Sequence, residues 1–245
     1  MKSKASILII SFFLAATNCY SNEKIKKSNQ FSPFDKWKIT ALTEGAKQGN
    51  IHDQYRLGGA YSDGLIVTKN LKKAALWFKR AAEQGHSNAQ NTLGSCYKFG
   101  SGVLKDPSKA VFWYKKSAEQ GNSYAQNNLA YAYSNGDGIL KDTAKAFFWY
   151  KKSAEQGLIM SQRKLAISYE KGLGTPINPK QALIWNKKAA EQGHPTAQLI
   201  LGTMYASGDG VLKDPKLAKQ YIQKAHDNGH ILATEIWEKY ELWKY

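Results

Sequence analysis

The chain has 245 residues, with 35 Lys and Arg against 19 Asp and Glu, a formal net charge of +16 and two cysteines. Two cysteines are too few for a disulfide framework, and no CxxC or His/Cys spacing offers a metal site. The charge excess favours acidic partners: an acidic protein, an anionic membrane face or, ranked last for an exported chain, nucleic acid.

Lys2 and Lys4 precede an apolar run from Ile7 to Ala16, followed by small and polar residues, the pattern of a secretory signal peptide. The run is shorter than the roughly 17 to 25 apolar residues of a membrane-spanning helix, and no later stretch qualifies. Cleavage after Ser21 would put Cys19 and Ser21 at the two positions a signal peptidase reads, so residues 1–21 are assigned to the signal. It would leave Cys96 alone and a net charge of +14, because Lys2 and Lys4 depart with no acid. Asn18 stands before Cys19 where a lipobox has Gly, Ala or Ser, so no lipid anchor is expected there. The mature chain is expected in the periplasm or outside the cell.

Residues 22–33 are polar and lysine-rich and predict a flexible leader. A helix follows from about Phe34 to Gln48 and ends at Gly49. It matches only the second half of the unit that then recurs, as a capping half repeat (34–49) would. The closing glycines Gly49, Gly85, Gly121, Gly157, Gly193 and Gly229 are spaced by 36 residues, which indicates stacked helix-turn-helix units at 50–85, 86–121, 122–157, 158–193 and 194–229. In the second unit Ala89, Leu93, Gly94 and Tyr97 form a stripe on the first helix, and Gly100 and Gly102 suit the turn after it. The second helix is announced by an N-cap: Asn70, Asp106, Asp142, Asn178 and Asp214 recur in register, with Pro107, Pro179 and Pro215 after three of them. Ala110, Trp113, Tyr114 and Ala118 line its packing face. Trp77, Trp113, Trp149 and Trp185 recur beside small alanines, which favours buried core over a ligand-stacking platform. A last helix from Ile231 to about Trp243, with Glu235, Glu238, Lys239, Glu241 and Lys244 on a solvated side, predicts a terminal cap at 230–245.

The motifs AQNTLGSCY from Ala89, GSGVLKD from Gly100 and KAVFWYKKSAEQG from Lys109 resemble the Sel1-like repeat family, relatives of the tetratricopeptide repeat. The resemblance covers residues 49–229 in five copies. It implies an all-α fold: a right-handed superhelical solenoid of about five 36-residue helix-turn-helix repeats with half-repeat caps, and a concave binding surface. The fourth unit departs from the pattern at Ser161, Glu170, Lys171, Leu173 and Asn186, so its packing is expected to deviate.

Projected at about 3.6 residues per turn, the positions beside the packing stripe of the first helices should line that groove. They are His52, Tyr55, Arg56 and Gly59; Asn88, Asn91, Thr92 and Ser95; Tyr124, Asn127, Asn128 and Tyr131; Arg163, Lys164 and Ile167; and Leu199, Ile200 and Thr203. They vary from unit to unit while the packing positions do not, as in a groove whose units each read a different part of one partner. Unconstrained exposed positions of a repeat would vary too, and both readings stand. A second surface is basic: Lys79 and Arg80, Lys115 and Lys116, Lys151 and Lys152, and Lys187 and Lys188. It could meet an anionic membrane or acidic partner, or simply complement helix C-termini.

No GxSxG, HExxH or phosphate-cradling glycine loop is present, and His86, His194 and His230 follow register glycines as turn residues do. The turns with Asp137 and Asp209 lack the alternating acids of an EF-hand loop. No enzyme, cofactor or metal is therefore expected. Exported proteins of the resembled family include immunity proteins against effectors delivered to the periplasm. The resemblance thus implies a scaffold binding another protein, acidic or a toxic effector. The alternatives are a secreted host- or envelope-interacting factor and, further back, a cell-wall or beta-lactam enzyme.

Overall fold

The computed structural model describes residues 31–244, so the expected signal peptide and residues 22–30 of the leader lie outside them. Among the described residues there are twelve α-helices, one 3-10 turn and no strand. The chain divides into two compact units, the first ending at Trp77 and the second beginning at Phe78.

The first unit holds α1 (Pro33–Lys47), α2 (Ile51–Asp63) and the opening of α3 (Leu71–Glu83). Ser32 and Asp35 form a capping box at the start of α1, and Pro33 takes the first turn, where no amide donor is needed. Leu42 and Ala46 of α1 are buried against Leu57 of α2, with Ile39, Tyr61, Ile66 and Trp77 around them. Trp37 is exposed and stacks on Phe34 instead, at 5.9 Å between ring centroids.

The second unit runs from the end of α3 through α4 (Ser87–Phe99), α5 (Pro107–Glu119), α6 (Ser123–Asn135), α7 (Thr143–Glu155), α8 (Ile159–Lys171), α9 (Pro179–Glu191), α10 (Pro195–Ser207), α11 (Pro215–Asp227) and α12 (Ala233–Lys239). From α4 on, each helix packs on the next in chain order. The second helices start where the sequence places them: Asp106, Asp142 and Asp214 each accept a backbone N–H three residues on at 2.9 Å, and Asn178 does so at 3.0 Å. Gly100 closes α4 in the left-handed region at φ 74°, which costs an L side chain strain that glycine avoids.

Leu93, Leu129, Leu165 and Leu201 are fully buried at one register position. Beside the first, Gly94 makes room for the Tyr114 ring, since a Cβ there would lie 2.7 Å from Tyr114 Cδ1. Trp113 and Trp185 are buried and Trp77 and Trp149 half-buried, so the tryptophan column is core with two partly open members.

Two polar columns escape the sequence reading. Gln54, Gln90, Gln126, Gln162 and Gln198 are buried, and each Nε2 donates to the carbonyl eight residues earlier, at 3.1 to 3.5 Å. Within the second unit the Oε1 of Gln90, Gln126 and Gln162 accepts from Gln120, Gln156 and Gln192, one repeat on, at 2.7 to 2.8 Å. The other column caps the first helices: His86 Nδ1, Asn122 Oδ1 and His194 Nδ1 accept the N–H of Ala89, Ala125 and Ala197. The histidines are thus caps as well as turn residues. Leu158 holds that position before α8 and makes no side-chain cap.

The terminal helix is shorter than expected. It ends at Lys239, Glu241 takes φ 50°, and a 3-10 turn (Leu242–Lys244) follows. The break carries Leu242 into the apolar cluster of Ile222, Ala225 and Ala233, whereas Ile231 stays exposed. Burying a leucine, worth about 1.5 to 3 kcal/mol, outweighs one more helical turn.

Candidate functional site

The expected groove residues separate into those that join repeats and those that remain available. In the first unit Tyr55 is half-buried and Arg56 exposed, its guanidinium 3.7 Å from Asp53. Arg56 and Gly59 border a cavity of about 260 Å³ with Lys38, Leu42, Ala60, Asp63, Leu65 and Ile66.

In the second unit a whole column faces the next repeat. Asn128 donates to Asn91 at 3.0 Å, Ser161 donates to Asn127 at 3.0 Å, and Asn122 donates to Asn88 at 2.7 Å. Leu199, in the same column as Asn91 and Asn127, is 9% exposed and belongs to the cluster of Ala218, Ile222 and Ala233. It is core and not groove, because α12 supplies small and apolar neighbours at this end and the aliphatic side chain follows them. Thr92 turns its hydroxyl to the Asn88 carbonyl, and Ser95 Oγ lies 3.2 Å from the Tyr114 hydroxyl. Ile200 and Ile167 are half-buried, and Thr203 donates to the Leu199 carbonyl.

Arg163 is the fourth member of this column, and its repeat deviates as the sequence suggests. Its side chain is mostly buried, with Nη1 3.6 Å from Glu170 Oε1, which also accepts from Asn186 Nδ2 at 2.8 Å. Arg163 Nη1 and Asn186 Oδ1 are buried without a hydrogen-bond partner. Burial lowers the Arg163 pKa, and Glu170 opposes that shift. Asn186 occupies the register position of Tyr114 and Tyr150, so the loss of an aromatic there is tied to the pair of the mostly buried Arg163 with Glu170.

What remains available is Tyr124, which is 62% exposed, together with Tyr131 and Lys164; these two and the repeat-joining Asn128 line two neighbouring cavities. The first, of about 170 Å³, lies among Lys98, Phe99, Lys105, Val111, Tyr114, Asn128, Tyr131 and Asp137. The second, of about 180 Å³, lies among Tyr131, Ser134, Asn135, Lys141, Thr143, Tyr150, Lys164, Ile167 and Ser168. Sequence reasoning found Asn128, Tyr131, Lys164 and Ile167 but missed the lysines and the second-helix tyrosines. Those tyrosines directly follow the tryptophans, on the helix face that the sequence assigned to packing. They are core, yet their edges reach the cavities.

The basic surface is less free than its sequence suggests. Lys79, Lys115 and Lys151 pair with Glu83, Glu119 and Glu155 at 3.7 to 3.9 Å, exposed pairs worth about 0 to 1 kcal/mol. Lys116, Lys152 and Lys188 lie over Phe112, Phe148 and Trp185, at 4.7, 5.8 and 4.1 Å from the ring centroids. Among the described residues no helix is long and apolar enough to cross a membrane, and no cluster of three His, Cys, Asp or Glu is placed to hold a metal ion.

The Sel1 repeat family model matches residues 51–86, 87–122, 123–158, 159–194 and 195–230. The chain is similar to c5321 of uropathogenic Escherichia coli, a protective antigen with an SLR fold. Identity is 37% and the TM-score 0.76 over 80% of this chain and 42% of that one, so it spans less than half of that protein's length. A Sel1 repeat protein of Oxalobacter formigenes is 30% identical, with a TM-score of 0.72 over 80% of this chain and 85% of that one. The immunity protein PA5088 of Pseudomonas aeruginosa shares the fold at 17% identity and a TM-score of 0.52, over 87% and 82% of the two chains. A comparison with curated proteins gives no match. Sel1 repeat proteins are protein-interaction scaffolds, typically without enzymatic activity. Five consecutive matched repeats, through which the buried leucines and glutamines recur at one register, place this chain in the Sel1 repeat family.

Proposed function

We propose that the chain is an exported, non-enzymatic module that holds another protein against the face bearing Tyr124, Tyr131 and Lys164. One observation carries this reading: the packing columns repeat almost unchanged, while this face presents two adjoining cavities and a largely exposed tyrosine, and its first-helix positions, those of Tyr124, Asn128 and Tyr131, carry a different side chain in every repeat. Export rests on the charged and apolar pattern of residues 1–21. The partner is an effector that the module neutralises, a reading supported by the two P. aeruginosa immunity proteins that share the fold. A second reading, a factor docking on envelope or host proteins, draws on the likeness to the protective antigen of E. coli.

The test is affinity capture from the native envelope fraction with the chain from Asn22 onward, at low and high salt, followed by mass spectrometry. One stoichiometric partner that survives high salt and is lost from the Tyr124→Ala, Tyr131→Ala double variant supports the reading. Only salt-sensitive acidic material, retained equally by the variant, would overturn it. A lipase or nuclease effector as the captured partner selects the immunity reading, and an envelope or host protein selects the second.

A further inference from the structure

The two cavities are the same place in consecutive repeats. Lys105 and Lys141, Ala110 and Ala146, and Tyr114 and Tyr150 are 36 residues apart and line the first and second cavity respectively, and Tyr131 borders both. Each volume suits one side chain, so a single extended segment could fill both in passing.

Their chemistry diverges. In the first cavity the Tyr114 hydroxyl is already paired with Ser95, and Lys98 lies 4.2 Å from the Tyr131 ring centroid and 5.2 Å from that of Phe99. Asp137 offsets one of the two charges of Lys98 and Lys105, and Phe99, Val111, Tyr114 and Tyr131 supply apolar wall. This cavity fits an aromatic or aliphatic side chain.

In the second cavity the residue in the register of Ser95 is Tyr131, and among the described residues the Tyr150 hydroxyl has no hydrogen-bond partner. Tyr150 is only 5% exposed and lines the cavity with Lys141, Lys164, Ser134, Asn135 and Thr143. No Asp or Glu lines it. Burial, with Tyr131 adding to it, pushes the Tyr150 phenol up to about 12, so the hydroxyl keeps its proton and is a standing donor. Two lysines and the hydroxyl of a buried tyrosine, with no Asp or Glu among the lining residues, suit a carboxylate.

We infer that these cavities are consecutive subsites for one extended acidic peptide segment, an Asp or Glu side chain entering beside Tyr150 and an apolar side chain entering beside Tyr131 and Phe99. The inference rests on the protein-binding reading above and gives the partner its chemistry.

Fluorescence polarisation with labelled peptides of about ten residues tests it. The peptides carry one Phe and one Glu, two to six residues apart on a Ser/Gly background, with amidated C-termini. Matched sets replace Glu by Gln, or carry Gln with a free C-terminal carboxylate. At one spacing the Glu peptide should bind at least about tenfold more tightly than its Gln counterpart. Tyr150→Phe should cost the Glu peptide about tenfold and leave the Gln peptide unchanged. Lys141→Ser with Lys164→Ser, both at exposed positions and so neutral for folding, should erase the preference. Equal binding of Glu and Gln peptides, preference for the free C-terminus, or no binding at any spacing would each overturn the inference. If the peptides fail while the captured partner is still lost from the Tyr124, Tyr131 variant, the face holds a differently shaped protein and only this inference falls.

Discussion

Replacing Gln126 by Met keeps the length and volume of a buried side chain and removes only its hydrogen bonds. Gln126 Nε2 donates to the Ala118 carbonyl at 3.2 Å, and its Oε1 accepts from Gln156 at 2.7 Å. Each neutral bond contributes about 0.5 to 1.5 kcal/mol net. The substitution strands no buried group, because the Ala118 carbonyl keeps the Gly121 N–H at 3.0 Å and the exposed Gln156 amide returns to water. The expected loss is therefore about 1 to 2 kcal/mol, well below the larger penalty of an orphaned buried polar atom. Urea unfolding followed by far-ultraviolet circular dichroism measures it. Gln156→Met strands the buried Gln126 Oε1 and should cost about 1 to 3 kcal/mol, and the double variant no more than Gln126→Met alone, since with Met at both positions no acceptor is left unpaired. Full additivity, or a loss below about 0.5 kcal/mol for Gln126→Met, would show that the glutamine column carries no structural weight.

Three further outcomes are expected. Leu158→Asn supplies the missing cap of α8 and should raise stability by about 1 kcal/mol in the same urea assay. Glu170→Gln strips the buried Arg163 of its counter-charge and should cost about 1 to 3 kcal/mol, whereas Glu119→Gln, at an exposed pair, should cost under about 0.5 kcal/mol. Tyr150 has its phenol raised from 10.0 to about 12, so the folded state keeps a proton that the unfolded chain loses. Its contribution is full below pH 10 and falls away as pH rises from 10 through about 12. Alkaline unfolding of Tyr150→Phe should accordingly show a shallower decline over that window, and ultraviolet titration should lose one late phenol.

The helices, their order and the Asp and Asn caps of the second helices were legible because each depends on local chemistry repeated at a fixed interval. The second capping column was not, because it alternates Asn, His and Leu, and only the backbone shows that His86 and His194 turn Nδ1 onto an amide. The groove was half legible. Helical geometry identifies which residues leave the stripe but not which of them meet the next repeat. Asn91, Asn127 and Leu199 share one projected angle, yet two pair across repeats and the third is buried by the C-terminal cap. Tyr150 shows the converse: a core position by register, it carries a polar edge that reaches a cavity formed with residues of another repeat.

The bonds that tie neighbouring repeats in the second unit are short in sequence, 30 residues from Gln120 to Gln90 and 37 from Asn128 to Asn91. An emerging chain can therefore complete each repeat against the one before it without waiting for a distant segment. Growth from the amino-terminal side meets a finished template at every step. The open end at any moment is a helix still lacking its follower, and α12 and Leu242 show what such a follower covers, the apolar face of α11 at Ile222 and Ala225.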